Sequence, residues 1–394
     1  MKEVSIVLVG ISGYGNVYLD ALFNGDYENA FIRGVVDINP GRSEYYQEIL
    51  DHNIPIYQSL EQFYQDFQAD LAIISTPIHL HKQQACVAMN NGSNVLCEKP
   101  ATASVKDLEV MMKTRDRAGK FLAIGFNWSF SPSVQQLKKD ILDGLYGSAK
   151  QFKSLVLWPR NEDYYMRSSW AGKKYSPDGD MIFDSVANNA TAHFLHHLLY
   201  LIGDRTDTSA KLKQVTAELY KTNNIETFDT CAVKIITAEN IEATFFASHT
   251  IKEESYPRFQ LEFEQATITY EPTSENNDVV AHFNDGSTKV YSNPENDHIA
   301  KLGVCIDAIT NGSRSILCGP EAASAHVACI QAMHESVPVI PAFPEKITLY
   351  DKVKKQYWIE GLAETLENCY QKACLPSDLK VDWSNRGQLI KLNN

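Results

Sequence analysis

Apolar and polar positions follow two different rhythms along this chain, and the rhythm changes near residue 148. Before that point, short and nearly unbroken apolar runs each end in a turn. Residues 4–9 run into Gly10, 32–36 into Asp37, 71–75 into Thr76-Pro77, 94–97 into Glu98-Lys99-Pro100, and 121–125 closes the series. Strands buried on both faces of a parallel sheet read this way. Helical periodicity fills the gaps, over 15–25, 41–51, 61–67, 79–91 and 104–118. Strand and helix alternating through short links predict an α/β domain with a parallel, right-handed, doubly wound sheet.

Beyond 148 the strand-like segments alternate apolar with polar, over 151–158, 212–221, 227–237, 241–250, 257–264 and 286–291, with a hairpin turn at Glu239-Asn240. Helices are expected at 187–202, 296–311 and 321–336. This half is predicted to be an α+β domain with a largely antiparallel sheet. A tail over 341–394, with one helical stretch at 350–371, is expected to pack on the domains. The expected boundaries are therefore 1–125, 126–340 and 341–394, and a chain of 394 residues exceeds what one core usually serves.

Composition narrows the function classes. A net charge of −13 gives no bulk attraction to a phosphate backbone, which argues against nucleic acid, although a local basic pocket can still bind a phosphate. No basic segment followed by a long apolar one opens the chain, and no apolar run approaches the ~20 residues of a membrane span. A cytoplasmic location with no membrane partner is the expectation. Eight cysteines, at 86, 97, 231, 305, 318, 329, 369 and 374, form no Cys-x-x-Cys pair. They read as reduced, mostly buried thiols, and no metal site is expected.

Four constellations carry chemistry. Gly10-Ile11-Ser12-Gly13-Tyr14-Gly15 stands between a strand and a helix, where backbone amides can bind a pyrophosphate. Gly10 and Gly15 match the ends of G-x-G-x-x-G; Ser12 takes the middle place, with Gly13 beside it. Asp37 closes the second strand 22 residues after Gly15, where an acid grips a ribose hydroxyl. Its charge argues for NAD over NADP, and nearby Arg42 weakens that argument. Together these predict a dinucleotide-binding Rossmann domain.

Ser75, Thr76 and Pro77 end the third strand, at the carboxyl edge where ligands of such sheets sit. His79 and His81 follow, either lining the dinucleotide or serving the helix start. Lys99 ends the fourth strand. It is either a solvated turn lysine or a proton acceptor for an alcohol, brought toward working range by burial and a cationic nicotinamide.

The fourth constellation lies in the second half: Asp184, Asn188, Asn189, His193, His196 and His197. On one helix, Asn189, His193 and His197 share a face suited to a polyhydroxy substrate. A satisfied histidine cluster is the alternative, and zinc chelation lacks a third ligand. Upstream stand Trp158, Arg160, Tyr164, Tyr165, Arg167, Trp170, Lys173 and Lys174. Aromatic faces and guanidinium forks suit a sugar and its anionic groups. A dimer contact or core packing is the other reading.

In this order, these motifs resemble the Gfo/Idh/MocA family (glucose–fructose oxidoreductase, inositol dehydrogenase and rhizopine catabolism proteins). The resemblance covers roughly 1–340. It rests on the glycine turn 10–15, Asp37, Ser75-Thr76-Pro77 with His79 and His81, Glu98-Lys99-Pro100, and Gly125-Phe126-Asn127-Trp128-Ser129-Phe130-Ser131-Pro132. It implies a Rossmann domain followed by a domain with a large open sheet, often used for homodimer or homotetramer contacts. It also implies NAD(P)-dependent chemistry on a sugar, cyclitol or polyol alcohol. Glu98 and Asn127 join the cofactor-binding set by resemblance, and Lys99 becomes the catalytic acid/base that also touches substrate.

The family's second-domain signature places an Asp four residues before a His. Counting back from Gly203 puts Asn189 and His193 there, whereas counting forward from Gly179-Asp180-Met181-Ile182-Phe183 puts Asp184 on the Asp. The first register is favoured. Asn189 then orients substrate, Lys99 and His193 handle protons, and Asp184 stays a second candidate. Two rival functions remain. One is an enzyme that recycles tightly bound NAD while cleaving glycosides or epimerising sugars. The other is a non-catalytic dinucleotide sensor.

Overall fold

The structure is a computed structural model describing residues 3–25 and 27–392. The chain divides into two compact units, and the division is not linear. Residues up to 131 join 297–323 in the first, while 132–296 join 324–394 in the second.

The first unit alternates strand and helix: β1 (Val4–Val9), α1 (Gly15–Asn24), β2 (Ala30–Val36), α2 (Tyr46–Asp51), β3 (Ile56–Tyr57), α3 (Leu60–Asp66), β4 (Leu71–Ile74), α4 (His81–Asn90), β5 (Asn94–Cys97), α5 (Val105–Ala118) and β6 (Leu122–Ile124). All six strands are parallel, in the order β3-β2-β1-β4-β5-β6. Every residue of β1 and β4 is buried, which explains their unbroken apolar runs. Strand order reverses between β1 and β4, so the glycine turn and Ser75–Pro77 lie at the switch point of a Rossmann sheet. Helix ends follow local chemistry. Ser104 accepts the Asp107 N–H at the start of α5, and Gly119 closes that helix in the left-handed conformation.

The second unit begins with α6 (Pro132–Leu142), β7 (Ala149–Leu157), α7 (Glu162–Met166) and α8 (Ala192–Ile202). Seven strands follow: β8 (Leu212–Tyr220), β9 (Thr230–Thr237), β10 (Glu242–Ser248), β11 (Arg258–Phe263), β12 (Ala266–Tyr270), β13 (Val279–Phe283) and β14 (Thr288–Tyr291). The chain then forms α9 (Ala300–Thr310) in the first unit. α10 (Pro320–Ser336), within which the boundary falls, leads back to the second. The tail adds β15 (Thr348–Asp351), β16 (Gln356–Ile359), α11 (Leu362–Lys372) and β17 (Ile390–Lys391). Nine strands make one open sheet, β14-β13-β12-β11-β7-β10-β9-β8-β17. Only the β7–β10 pair is parallel, so the sheet is mixed and mostly antiparallel.

Four expectations are corrected. Residues 297–323, placed by pattern in the second domain, return to the first, because α9 packs its apolar side on β1 and β5. The helix expected from 187 starts only at Ala192. Before it, Asn188 donates to the carbonyls of Ile182 and Phe183, and Thr191 donates to that of Val186. Those side-chain bonds replace helical ones. The helical stretch expected over 350–371 opens instead as the β15–β16 hairpin, since Asp351 Oδ1 accepts the N–H groups of both Val353 and Lys354 in a tight turn. The tail packs wholly within the second unit: Leu362, Leu366, Cys369 and Tyr370 bury against Leu155, Leu157 and Phe246 of the sheet, and β17 pairs with β8.

Candidate active site

In the first unit, the carboxyl ends of β1, β2, β4 and β5 bring the sequence candidates to one edge. Gly10 stands at φ +79°, and a Cβ on Gly15 would lie 2.2 Å from the Gly10 carbonyl oxygen. The turn therefore requires glycine at both ends. Around Gly13 a Cβ would meet nothing within 4 Å, so space is open over the turn. Ser12 and Gly13 lead into α1, where the Gly15, Asn16 and Val17 amides close on the Ser12, Gly13 and Tyr14 carbonyls and the positive end of the helix dipole faces the turn. Asp37 Oδ2 accepts the Ile11 N–H at 2.9 Å and Oδ1 that of Asn39 at 2.7 Å. The carboxylate thus clips the end of β2 to the glycine turn and keeps further lone pairs for a ribose. Arg42 is exposed in the following turn. These residues fit a dinucleotide.

Ser75, Thr76 and Pro77 are half-buried after β4, and the Thr76 hydroxyl donates to Gln84. His79 is half-buried in a short turn. His81 is buried, and its ring nitrogens face the carbonyl oxygens of Pro100 (2.9 Å) and Thr76 (2.7 Å). Neither nitrogen is left for a ligand, so His81 braces the β4 and β5 ends from beneath. Burial pushes its pKa down.

Glu98, expected at the cofactor, is also a brace. It is 6% exposed. Its Oε1 accepts from the Tyr18 hydroxyl (2.6 Å) and pairs with Lys301, a lysine of α9 with no exposure, while Oε2 accepts the Lys99 N–H (3.2 Å). A Cβ on Gly125 would come within 2.8 Å of this carboxylate, so Gly125 makes the room for it. Burial raises the Glu98 pKa, but Lys301 and the Tyr18 hydroxyl outweigh it and hold the carboxyl below its usual range. Lys99 stands next to this network, half-buried at the end of β5.

Asn127 is 4% exposed, and its Nδ2 contacts His298 Nδ1 (3.0 Å) and the Tyr14 hydroxyl (3.5 Å). Tyr14 reaches His298 Nε2 at 2.9 Å and takes a bond from Lys301 at 3.1 Å. Tyr14, Tyr18, His298 and Lys301 were invisible to motif reading. Tyr14 is an unspecified place within the glycine turn, Tyr18 an ordinary aromatic position of α1, and the other two come from the segment that returns after 296.

In the second unit, the two residues competing for the Asp position are joined. Asn189 Nδ2 donates to Asp184 Oδ1 at 2.8 Å. Asp184, 3% exposed, also accepts the Gly172 N–H at 2.7 Å and pairs with Arg167 at 3.2 Å. It is a saturated hub that ties the 167–172 loop to the approach of α8. Asn189 precedes α8, so it does not share a helix face with His193 and His197 as the pattern suggested. His193 stands half-buried in the first turn of α8. His197 is not at a ligand surface: it is buried 5.0 Å from the Phe259 ring, and burial, then Lys138, pushes its pKa down to about 3. His196 is likewise buried, stacked on Tyr200.

The aromatic and cationic stretch forms a ladder. Arg160 lies over the rings of Trp158 (5.9 Å) and Tyr164 (5.4 Å); Arg167 lies over those of Tyr164 (3.9 Å) and Trp170 (5.0 Å). Behind it sits His249, whose Nδ1 meets the Trp158 carbonyl at 2.7 Å. That contact assigns the proton to Nδ1 and leaves Nε2 an acceptor. Tyr164 and Tyr165 meet the His249 ring edge-on, and nearby Asp229 is buried with its pKa raised to about 6 by burial. His249 and Asp229 had no sequence signal, since each is a single polar residue at a strand end.

Among the described residues no three His, Cys, Asp or Glu side chains group as a metal site, and no helix is long and apolar enough to cross a membrane.

Residues 4–126 match the GFO_IDH_MocA family, described as an oxidoreductase family with an NAD-binding Rossmann fold. Among curated relatives, 2,7-anhydro-N-acetylneuraminate hydratase of Mediterraneibacter gnavus is 32% identical over 147 residues, covering 37% of this chain and 38% of the relative. Glucose-6-phosphate 3-dehydrogenase of Bacillus subtilis is 26% identical over 153 residues, covering 39% and 41%. The matches thus span about two fifths of those relatives' length. Among solved structures, the WlbA dehydrogenase of Bordetella pertussis, in complex with NADH and UDP-GlcNAcA, superimposes with a TM-score of 0.70 at 20% identity, over 86% of this chain and 97% of that one.

Proposed function

Through its Rossmann domain this chain belongs to the Gfo/Idh/MocA oxidoreductase family, and from that premise we propose that it moves hydride between a bound nicotinamide dinucleotide and a secondary alcohol of a sugar, cyclitol or related polyol. The observation that carries this reading is the placement of the glycine turn, Asp37 and Lys99 at the carboxyl edge of one parallel sheet. Gly10, Ser12, Gly13 and Gly15 hold the pyrophosphate. Asp37 holds the adenosine ribose and favours NAD over NADP. Ser75, Thr76, Pro77, His79 and Asn127 line the dinucleotide, with Glu98 and His81 fixing the strand ends.

Lys99 accepts the alcohol proton in oxidation and returns it in reduction. His193 is the second proton-handling group, and Asn189 orients substrate. Asp184 is left out of proton transfer because Arg167, Gly172 and Asn189 occupy it. The Trp158–Arg160–Tyr164–Arg167–Trp170 ladder offers aromatic faces and guanidinium forks to a sugar.

Lys99→Ala is expected to lower turnover by about 10²–10⁴-fold, the usual worth of a general acid/base, with NADH affinity unchanged in fluorescence titration. Full activity of that variant removes Lys99 from the mechanism. A second reading is favoured by one observation: the 32% identical relative is named a hydratase, a net reaction without redox change. NAD that stays bound through purification, with no NADH released during turnover, would select it.

The half-exposed positions of β11 and β12, Gln260, Glu262, Thr267 and Thr269, form a broad polar sheet face suited to pairing copies. A homodimer or homotetramer is expected by light scattering. Eight free thiols support a reducing, cytoplasmic setting.

A further inference from the structure

Beside the ladder, with which it shares Arg160, the second unit carries a cleft whose other lining residues the oxidoreductase reading does not use. Its volume is about 530 Å³, within the range of small-molecule sites. One wall is Pro159, Arg160, Asn161 and Asp163; the other is the hairpin turn Val353–Gln356 of the tail. The walls are tied together. Glu162 N–H donates to the Lys355 carbonyl at 3.0 Å, the Tyr350 hydroxyl donates to Glu162 at 2.9 Å, and Lys355 reaches Asp163 at 3.5 Å.

Its charge runs against that of the whole chain. In a molecule of net charge −13, the cleft gathers Arg160, Lys354 and Lys355 against Asp163 alone. Arg160 bonds the Pro159 carbonyl (3.1 Å) and the Tyr164 hydroxyl and lies over two aromatic faces; among the described residues no carboxylate pairs with it. The Lys355–Asp163 and Lys354–Glu253 pairs are long (3.5 and 3.7 Å) and more than half exposed, so they are weak. Asn161 already uses its side-chain oxygen to accept the Tyr164 N–H (3.2 Å), which leaves an NH₂ donor. Arg160, Lys354, Lys355 and the Asn161 amide give the cleft a cluster of donors beside the Asp163 carboxylate.

We propose that this cleft binds the phosphate ester of a small phosphorylated metabolite. A phosphate monoester carries about −1.5 to −2 near neutral pH, so it competes with the exposed Glu253 and Asp163 for Lys354 and Lys355 more strongly than a singly charged carboxylate does. The Arg160 fork suits paired phosphate oxygens, and the lysines supply point charges. The inference does not depend on the oxidoreductase reading. The phosphate belongs either to the substrate or to a separate effector, and the chemistry recognised is the same.

The test is calorimetric titration of the 394-residue, nucleotide-stripped protein at low ionic strength. The probes are inorganic phosphate, glucose 6-phosphate, glucose and glucuronate, with NADH titrated into the same samples. The phosphorylated probes are expected to bind, glucuronate about tenfold more weakly and glucose not at all. Salt should weaken the binding. Arg160→Ala with Lys355→Ala should abolish it and leave NADH affinity intact, while Arg160→Lys should lose only part. Equal binding of phosphate by the double variant, or none by the wild type while NADH binds, overturns the proposal. Phosphate binding without NADH binding overturns the oxidoreductase reading and leaves this one standing. Reduction of NAD on adding glucose 6-phosphate assigns the phosphate to substrate; binding without turnover assigns it to an effector.

Discussion

Lys301 is the residue on which the polar core of the first unit depends. It is fully buried, pairs with buried Glu98 and reaches the Tyr14 hydroxyl. Removing it strands a carboxylate away from water, a change that costs about 3–5 kcal/mol. Lys301→Met is therefore expected to lower the unfolding free energy, read from denaturant titration, by that amount. Adding Glu98→Gln should recover much of the loss, because no lone buried charge remains. Destabilisation that simply adds in the double variant would mean the two side chains act separately. Gly15→Ala tests the turn: its Cβ would meet the Gly10 oxygen at 2.2 Å, so dinucleotide affinity should fall by at least about tenfold. At this scale the position of Lys99, Asp37 and the glycines at strand ends was legible, because short spacings carry that information. The sequence disclosed neither the Glu98 partner, 203 residues away, nor the saturation of Asp184, because both depend on contacts across the fold.

At the scale of elements, the parallel strands were legible because burial on both faces leaves unbroken apolar runs. The hairpin β15–β16 was not. Its strands read Thr-Leu-Tyr-Asp and Gln-Tyr-Trp-Ile around four residues rich in lysine, and the periodicity of neighbouring α11 masked them. β12 and β13 escaped for a related reason, being five residues each and half-exposed on alternate positions. α11 anchors the tail: Leu366 is fully buried with Leu155, Leu157 and Phe246. Leu366→Ala should cost about 2–5 kcal/mol, read as a lower melting temperature. Because the tail forms one wall of the basic cleft, the same variant should also weaken phosphate binding. Normal stability in Leu366→Ala would show that the tail is not part of the cooperative core.

For the whole molecule, buried imidazoles set the response to acid. Burial holds His197, His249 and His334 near pKa 3, with Lys138, Arg160 and Arg167, and Lys174 adding to it respectively. An unfolded histidine titrates near 6.5, so below that pH the unfolded chain binds more protons than the native one. Stability is thus fully present above pH 6.5 and is lost as pH falls toward 3, at about 1.4 kcal/mol per pH unit for each imidazole. Asp229 acts oppositely. With its pKa raised to about 6, its contribution is greatest below the unfolded value near 4 and is lost as pH rises through 6, which offsets about one histidine. The melting temperature is expected to drop steeply between pH 6 and 4, and His249→Phe should flatten that slope by about one proton. An unchanged slope would show that His249 is already solvated in the native protein.

The return of residues 297–323 to the first unit also has a consequence for synthesis on the ribosome. The stretch that ends at Ser131 leaves the exit tunnel with Glu98 made and Lys301 still to come. At about 5–20 residues per second, translating the intervening ~170 residues takes roughly 10–30 s. For that interval the nascent N-terminal segment has every strand of its sheet but not the cation that neutralises its buried carboxylate. A chain stalled with Ser131 clear of the exit tunnel but Lys301 not yet made should therefore be more sensitive to protease than one stalled with residue 323 clear of it.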